Sequence, residues 1–166
     1  MARRSTLFAL HCCLALAFAS AAGAQSSATA AGEEQAIKAV LARFYGGWNA
    51  HDVDRMVSAY ADDVDHINVF AEWHKGKAEI SDDLRRFHAG PARNSRKTFT
   101  VEKIRFVRPD VAVIHVRSLS TVGNLGTYVM AKDAGEWRTV SFTNVGYELT
   151  PSGSRTGITP KPPANR

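Results

Sequence analysis

Four stretches rich in β-branched and aromatic residues follow one another in the second half of the chain, separated only by short turns. They cover residues 98–107, 111–120, 127–132 and 137–147. Typical turn residues lie between them, in the order Arg108-Pro109-Asp110, Gly123-Asn124 and Asp133-Ala134-Gly135. Connections this short join neighbouring antiparallel strands. The sequence therefore predicts a four-stranded antiparallel meander, and any fold of this chain must accommodate that sheet.

Two helices are predicted before the first strand. From Glu33 to Trp48, apolar residues recur every three to four positions, as in an amphipathic helix. Asp52 has a side chain suited to capping the N-terminus of a second, short helix. The apolar residues of that second helix are Val53, Met56, Val57 and Tyr60. These patterns predict two consecutive helices ahead of the sheet.

An early strand and a third helix follow. Residues 64–70 form a β-type run that is predicted to join the sheet. Residues 78–87 place Ile80, Leu84 and Phe87 on one helical stripe, and Ala89-Gly90-Pro91 ends that helix. Three helices followed by a mostly antiparallel sheet predict an α+β protein.

The N-terminus has the pattern of a secretory signal peptide. Two arginines precede an apolar run from Leu7 to Ala22, and Ala22-Gly23-Ala24 is a typical cleavage site. We therefore predict a signal peptide at residues 1–24 and a periplasmic or secreted protein, with an uncleaved anchor as the alternative. Cys12 and Cys13 would leave with the signal, so the mature protein would have no thiol chemistry.

The remainder divides into a linker at residues 25–32, a folded domain at residues 33–149 and a tail at residues 150–166. The tail contains four of the six prolines and almost no apolar residue. Such a segment cannot bury enough surface to offset the entropy lost on ordering. We predict a disordered tail, with a loosely docked tail as the alternative.

The net charge of +5 suggests a nucleic-acid or acidic-membrane partner until the charges are placed. Two arginines belong to the predicted signal and three basic residues to the tail, whereas residues 33–150 carry 16 basic and 16 acidic side chains. The body is therefore neutral, and its basic residues are scattered among acids. We predict no nucleic-acid partner, and no stable membrane association after signal cleavage.

The strand at residues 111–116 is apolar on both faces. A sheet covered by helices on one side would normally leave its other face polar, so something is expected to cover that face too. We predict a homodimer packed through the sheet face. The alternative is a single long central strand buried by the tail.

The order of elements and several short motifs resemble the nuclear-transport-factor-two-like, or SnoaL-like, superfamily over about residues 33–147. The first motif, Trp48-Asn-Ala-His-Asp52, is common to the whole superfamily, and the run of motifs through His88-Ala-Gly-Pro91 is more specific. Within the superfamily the chain looks most similar to the SgcJ/EcaC branch. The other motifs are Tyr60-Ala-Asp-Asp63, Asn68-Val-Phe70, Trp73-His-Lys-Gly76, Arg108-Pro-Asp-Val-Ala112 and His115.

This resemblance implies a cone-like (cystatin-like) fold of three N-terminal helices packed on a curved, mostly antiparallel sheet. It also implies a dimer and a pocket between helices and sheet. The superfamily includes isomerases, cyclases, dehydratases and proteins that only bind ligands, so the fold does not carry the function. Ketosteroid isomerase needs a carboxylate base and a tyrosine hydroxyl. The matching positions here are Asn68 and Phe44, which makes that mechanism improbable.

Aromatic and polar residues are the candidates for the pocket lining. If Asn68 points inward, the alternation along a strand places His66 and Phe70 on the same face. The whole predicted ligand pocket is Trp48, Tyr60, His66, Asn68, Phe70, Trp73, Tyr128 and Asn144. Tyr128, Arg117 and Asn144 lie on other strands and are weaker candidates. His88 and His115 are the candidate catalytic residues, because histidine is the natural acid–base group near neutral pH. The alternative is that each histidine is a hydrogen-bonded structural residue.

We predict no metal and no cofactor. A metal site would need His66, His74, His88 and His115 to meet, and no histidine pair has the i, i+4 spacing of a helical metal motif. There is no G-x-S-x-G elbow and no G-x-G-x-x-G loop. The sequence thus favours binding of a small, largely apolar molecule. The alternatives are an enzyme using histidine acid–base chemistry, of isomerase, cyclase or dehydratase type, and a dimeric interaction module with a vestigial pocket.

Overall fold

The computed structural model describes residues 29–120, 123–149 and 155–157. The predicted signal peptide with Cys12 and Cys13 lies outside these residues, as does most of the predicted tail. The chain divides into two units, residues 1–36 and residues 37–166. In the first unit, residues 29–36 are helical, including four residues that the sequence assigned to a linker. Within the described residues, no helix is long and apolar enough to cross a membrane.

Two helices open the second unit. Helix α1 covers residues 37–50 here and buries the apolar face predicted for it, including Ile37, Leu41 and Phe44. It ends at His51, whose φ of 56° lies in the left-handed region. Helix α2, Val53–Val57, begins at the predicted cap, because the Asp52 side chain accepts a hydrogen bond from the backbone N–H of Arg55.

The second helix is shorter than predicted, and the first strand starts earlier. Strand β1 is Tyr60–Ile67, so Tyr60 belongs to the sheet and not to α2. Strand β2 is Trp73–Lys75. Residues 68–72 form the turn between them, because the Asn68 Oδ1 atom accepts the backbone N–H groups of Phe70 and Glu72. A local side-chain bond of this kind favours a turn over a continued strand.

Helix α3, Gly76–Ala89, packs against β1 and β2. Ile80 and Leu84 are buried on its inner stripe, as predicted. Gly76 has a φ of 79°, which a glycine adopts without strain, and this allows the chain to turn directly from β2 into the helix.

The last four long strands form the predicted meander. They are β3 (Thr98–Arg108), β4 (Val111–Leu119), β5 (Gly123–Asp133) and β6 (Glu136–Leu149). The sheet order is β2-β1-β6-β5-β4-β3, with β1 parallel to β6 and the remaining neighbours antiparallel. The α+β prediction is confirmed: the helices pack on a curved, mostly antiparallel, open sheet.

Two details of the sheet differ from the prediction. Gly123 and Asn124 lie within β5 rather than in a turn. A Cβ atom at Gly123 would collide with the ring of its cross-strand partner Tyr147, so this glycine provides room instead of a bend. In the predicted tail, strand β7 (Arg155–Gly157) pairs with the end of β6.

The two faces of the sheet have different environments. The inner face packs on the helices and contributes Ile114, Val116 and Met130 to the core, all of them fully buried. The outer face keeps apolar side chains at the surface, including Leu125 and Val145, which are 38% and 62% exposed.

Candidate functional site

A cavity of about 560 Å³ lies between the helices and the inner face of the sheet. Its walls are mainly apolar. The apolar and aromatic lining residues are Phe44, Tyr45, Trp48, Val69, Phe70, Ile80, Leu84, Phe87, Pro91, Ala92, Tyr128 and Phe142. Cavities that hold small organic molecules have this size and character.

Polar groups are placed around these apolar walls. The polar lining residues are His66, Asn68, Glu72, Asp83, Ser95, Lys97, Ser118, Ser120, Asn124 and Asn144. The Oδ1 atom of Asn144 is buried and has no hydrogen-bond partner among the described residues. Buried acceptors are usually satisfied, so this oxygen is available to a donor on a bound molecule.

Six of the eight residues predicted for the pocket line the cavity: Trp48, His66, Asn68, Phe70, Tyr128 and Asn144. Tyr60 does not, because β1 turns its side chain into the core, where it is fully buried. Trp73 does not either: it is 56% exposed and donates its indole N–H to Asp65. Asn68 and Phe70 reach the cavity from the turn after β1 and not from the strand.

Two tyrosine hydroxyls meet on the inner wall. The Oη atoms of Tyr45 on α1 and Tyr128 on β5 are 3.1 Å apart and buried. Burial raises the pKa of both phenols, so both stay protonated. Phe99 stacks on the Tyr45 ring with centroids 4.4 Å apart, which fixes its orientation. The cavity therefore has a pair of fixed, neutral hydroxyl groups.

Lys97 places a cation at the cavity wall. Its Nζ atom lies 3.7 Å from the centroid of the Trp48 ring, and burial lowers the pKa of the amine to about 8. The Asn49 side chain holds the backbone of Lys97 on both sides, donating to its C=O at 2.8 Å and accepting from its N–H at 2.7 Å. The motif residues Trp48 and Asn49 thus position this lysine.

His88 and His115, the candidate catalytic residues, are not brought together. His115 alternates along β4 with Ile114 and Val116, which are fully buried, so its side chain lies on the outer face of the sheet, next to Thr127. The two candidate catalytic residues therefore do not face a common space. Arg117 also lies on the outer face, paired with Glu102.

His88 is buried at the end of α3 and is not among the residues lining the cavity. Its Nδ1 atom is 2.8 Å from Nδ1 of His51, and its ring contacts Trp48 edge-on. Burial, then the neighbouring His51 and Lys97, lower the pKa of His88 to about 4. The imidazole is therefore neutral near pH 7.

His66 is the histidine that lines the cavity. It is buried on β1, and its Nδ1 atom lies 3.2 Å from the Tyr60 hydroxyl. Burial, together with His74 and Lys97, lowers its pKa to about 3, so the ring is neutral. Burial also raises the pKa of Tyr60, which keeps that phenol protonated.

A second cluster lies beside His66. Single ligand atoms of Glu72, His74 and Asp83 all fall within 4.8 Å of one another. The His74 Nε2 atom is 3.5 Å from Oδ2 of Asp83, and it is buried without a hydrogen-bond partner in the described part of the chain. Glu72 and Asp83 belong to the cavity lining. The four histidines considered above do not form a common site.

Sequence reasoning missed several of these residues. Lys97 and Tyr45 lie outside every motif. Lys97 directly precedes a strand, and a lysine at such a position is ordinarily expected to be exposed to solvent. The sequence contains a weak signal for two others, because Glu72 and His74 are two positions apart, and extended backbone at such a spacing places both side chains on the same side. Asp83 joins them only through the packing of α3 on β2.

Solved structures similar to this chain share its fold. A cystatin-like domain from Nostoc punctiforme is 20% identical, with a TM-score of 0.64, and the match covers 68% of this chain and 76% of that one. A cystatin-like protein from Caulobacter vibrioides is 17% identical, with a TM-score of 0.65 and coverage of 72% and 91%. A ketosteroid isomerase-like protein from Erwinia carotovora is 14% identical, with a TM-score of 0.59 and coverage of 66% and 92%. The architecture is therefore a cystatin-like, or NTF2-like, fold.

The family model agrees with the fold. Residues 41–147 match the SnoaL-like domain, and the chain belongs to that family. A comparison with curated proteins finds no match.

Proposed function

We propose that this SnoaL-like protein binds a small, largely apolar molecule in the cavity between its helices and its sheet. The observation that carries the proposal is the cavity itself, about 560 Å³ in volume with mainly aromatic and aliphatic walls. Burial of apolar ligand surface there would supply most of the affinity, at roughly 25 cal/mol per Å². The open volume favours this function over an interaction module with a vestigial pocket.

Fixed polar groups would orient the molecule. The Lys97 amine, the Tyr45–Tyr128 hydroxyl pair and the unpartnered Asn144 oxygen lie on different parts of the wall. A cation, together with the one hydroxyl proton that the tyrosine pair does not use internally, suits a ligand that carries an anionic or oxygen-rich group. We therefore expect an apolar body with one acidic or oxygen-bearing end.

The binding test uses an apolar anionic fluorophore, anilinonaphthalene sulfonate (ANS), and its displacement by candidate ligands. Asn144→Phe fills part of the cavity and is expected to abolish binding, whereas Thr143→Phe, on the exposed side of the same strand, is the matched control. Near-UV circular dichroism must show native packing, because partly folded proteins also bind ANS. Equal ANS binding by both variants would contradict the proposal.

The natural ligand is sought by native mass spectrometry of protein purified from its own host. An additional mass that disappears on denaturation identifies the ligand class. Protein that carries no such mass, and that also binds no ANS, would contradict a binding role.

Acid–base catalysis on the bound molecule is the second candidate, favoured by the neutral His66 ring in the cavity wall and by the carboxylates of Glu72 and Asp83, which line the same cavity. It requires turnover, of isomerase, cyclase or dehydratase type. His66→Gln separates the two roles. Loss of turnover with binding retained supports an enzyme, and unchanged turnover of an identified substrate excludes His66 as its acid or base.

We also propose that the protein acts as a homodimer joined through the outer face of the sheet. Val113, Leu125 and Val145 lie on that face, and the last two are exposed. A second copy of the chain would remove these apolar side chains from water. The oligomeric state tests this proposal.

Export to the periplasm or the medium is a further proposal, supported by the basic, apolar and Ala-Gly-Ala regions of residues 1–24. The intact mass of the protein from its own host tests it: loss of residues 1–24 supports cleavage, and the full mass contradicts it.

Within the family, we propose that this chain belongs to the SgcJ/EcaC branch, because it contains the run of motifs from Trp48 to Pro91. A family tree that includes this chain tests the assignment.

A further inference from the structure

Glu72, His74 and Asp83 combine one imidazole and two carboxylates at the edge of the cavity. We propose that these three side chains bind a divalent transition-metal ion, for which Zn²⁺ is the probe. The site is built by this chain alone, from the turn before β2, from β2 itself and from α3.

The spacing of the ligand atoms fits one small ion. Zinc bonds to nitrogen and carboxylate oxygen are about 2.0–2.2 Å long, so two ligands in tetrahedral geometry lie roughly 3.3–3.6 Å apart. The His74 Nε2 and Asp83 Oδ2 atoms are 3.5 Å apart, without a hydrogen bond between them. All three ligand atoms lie within 4.8 Å of one another, so small side-chain rotations bring them to one ion.

Neighbouring groups hold the carboxylates in place. Asn68 Nδ2 donates to Glu72 Oε2 at 2.7 Å, which leaves Oε1 for an ion. Arg86 donates to Asp83 Oδ1 at 3.3 Å, whereas Oδ2 is the oxygen near His74. Metal sites commonly orient their ligands through outer partners of this kind.

The surroundings of Glu72, His74 and Asp83 favour a bound cation. Two carboxylates face a largely buried imidazole nitrogen that has no partner in the described residues, and such a nitrogen is costly unless something satisfies it. The two lysines that flank β2 and begin α3 contact other groups: Lys77 pairs with Asp62, and Lys75 lies over the Trp73 ring. Arg86 reaches Asp83, but its side chain is 67% exposed and contacts the other oxygen.

The donor set selects the kind of ion. Imidazole suits zinc and other first-row transition metals, whereas calcium and magnesium prefer oxygen alone. Three protein ligands leave a coordination position open. Because Glu72 and Asp83 also line the cavity, we infer that this position is accessible from the cavity. This last step rests on the proposed binding function, and it specifies a ligand with a hydroxyl, carbonyl or carboxylate oxygen that completes the coordination.

The test uses untagged full-chain protein treated with EDTA and then titrated with ZnCl₂ by calorimetry. Co²⁺ serves as a spectroscopic probe of coordination by nitrogen and oxygen. We expect one ion per chain and a rise in melting temperature with zinc, because the ion binds the folded state. His74→Ala and the isosteric Asp83→Asn should both abolish binding, and Asn68→Ala should weaken it by about 10–100-fold. The use of two ligand variants keeps the test valid if one of them misfolds.

His115→Ala is the matched control, since this histidine lies on the outer face of the sheet and should not affect zinc affinity. The metal site would be overturned if calorimetry detects no zinc binding to the wild-type protein. It would also be overturned if the wild type, His74→Ala and Asp83→Asn bind zinc with equal affinity. ANS binding to the EDTA-treated protein is measured in parallel. If zinc does not bind but ANS binding is intact, the metal site is excluded and the proposed function stands. If zinc binds but ANS does not, the proposed function and the oxygen ligand inferred from it are excluded, and the metal site stands.

Discussion

The Nδ1 atoms of His51 and His88 lie 2.8 Å apart, so one imidazole donates a hydrogen bond to the other. The pair joins the turn after α1, where His51 has a φ of 56°, to the C-terminal end of α3. Such a bond needs one acceptor nitrogen. If both rings were protonated, the two nitrogens would both be donors and the contact would become repulsive.

Acid should therefore destabilise the fold through His88. Its pKa is about 4 in the folded protein and 6.5 in the unfolded chain, so the unfolded chain binds more protons between these values. The stabilisation is complete above about pH 6.5 and is lost as the pH falls through about 4. His88→Asn keeps a donor or acceptor near the Nδ1 position and removes the titration. Urea unfolding at several pH values should show a shallower acid slope for this variant. An unchanged slope, with His115→Asn as control, would contradict the assignment.

Replacement of Lys97 by methionine should improve stability and weaken anion binding. Charging the amine in this partly buried position is costly, because burial lowers its pKa to about 8, and methionine fills a similar volume. ANS affinity should fall roughly 10-fold or more, because an ionic hydrogen bond contributes about 1.5–3 kcal/mol.

The pH dependence of ANS binding separates charge from shape. Wild-type affinity should decrease as the pH rises through about 8, whereas the affinity of Lys97→Met should not change. Lys103→Met, on the exposed face of β3, is the control. Parallel pH curves for wild type and Lys97→Met would exclude Lys97 as the anion contact.

We expect the two conservative variants Tyr45→Phe and Tyr128→Phe to lose different amounts of unfolding free energy. Tyr45→Phe leaves the buried Tyr128 hydroxyl without its partner and should cost about 1–3 kcal/mol of unfolding free energy. Tyr128→Phe should cost less, because the Tyr45 hydroxyl also interacts with Ser118. Denaturant unfolding of both single variants and of the double variant measures the coupling. Equal losses would argue against a distinct role for Ser118.

Val113→Asp should convert the proposed dimer into monomers, because a charge in the middle of the outer sheet face opposes burial of that face. Val145→Asp should have the same effect. Size-exclusion chromatography with light scattering gives the mass, and Ala42→Asp on the exposed side of α1 is the control. Dimers in both sheet-face variants would place the interface elsewhere.

The meander and the amphipathic helices could be predicted because each depends on local periodicity and turn chemistry. The alternation of Ile114, His115 and Val116 already places His115 on the face opposite its two apolar neighbours, although acid–base chemistry made His115 a candidate catalytic residue. The boundary at Tyr60 was harder, since an aromatic residue after a short helix fits either element. Only the pairing of β1 with β6 decides it.

The polar part of the site could be predicted less well, because it depends on contacts between distant segments. Lys97 approaches Trp48 across 49 residues of sequence, and Tyr45 approaches Tyr128 across 83. Periodicity carries no information about such pairs. Glu72 and His74 share a face for a local reason, but the third member of their cluster, Asp83, comes from the packing of a helix.

Strand β6 lies between β1 and β5 in the sheet. Its pairing with β1 brings together residues that are about 80 positions apart in the sequence, such as Tyr60 and Thr139. During synthesis on the ribosome, β1 therefore emerges long before this partner exists. Until residues 136–149 are released, β1 and β5 each expose an unpaired edge. Non-local pairing of this kind slows folding and leaves time for aggregation, so assembly of this sheet waits for its last long strand.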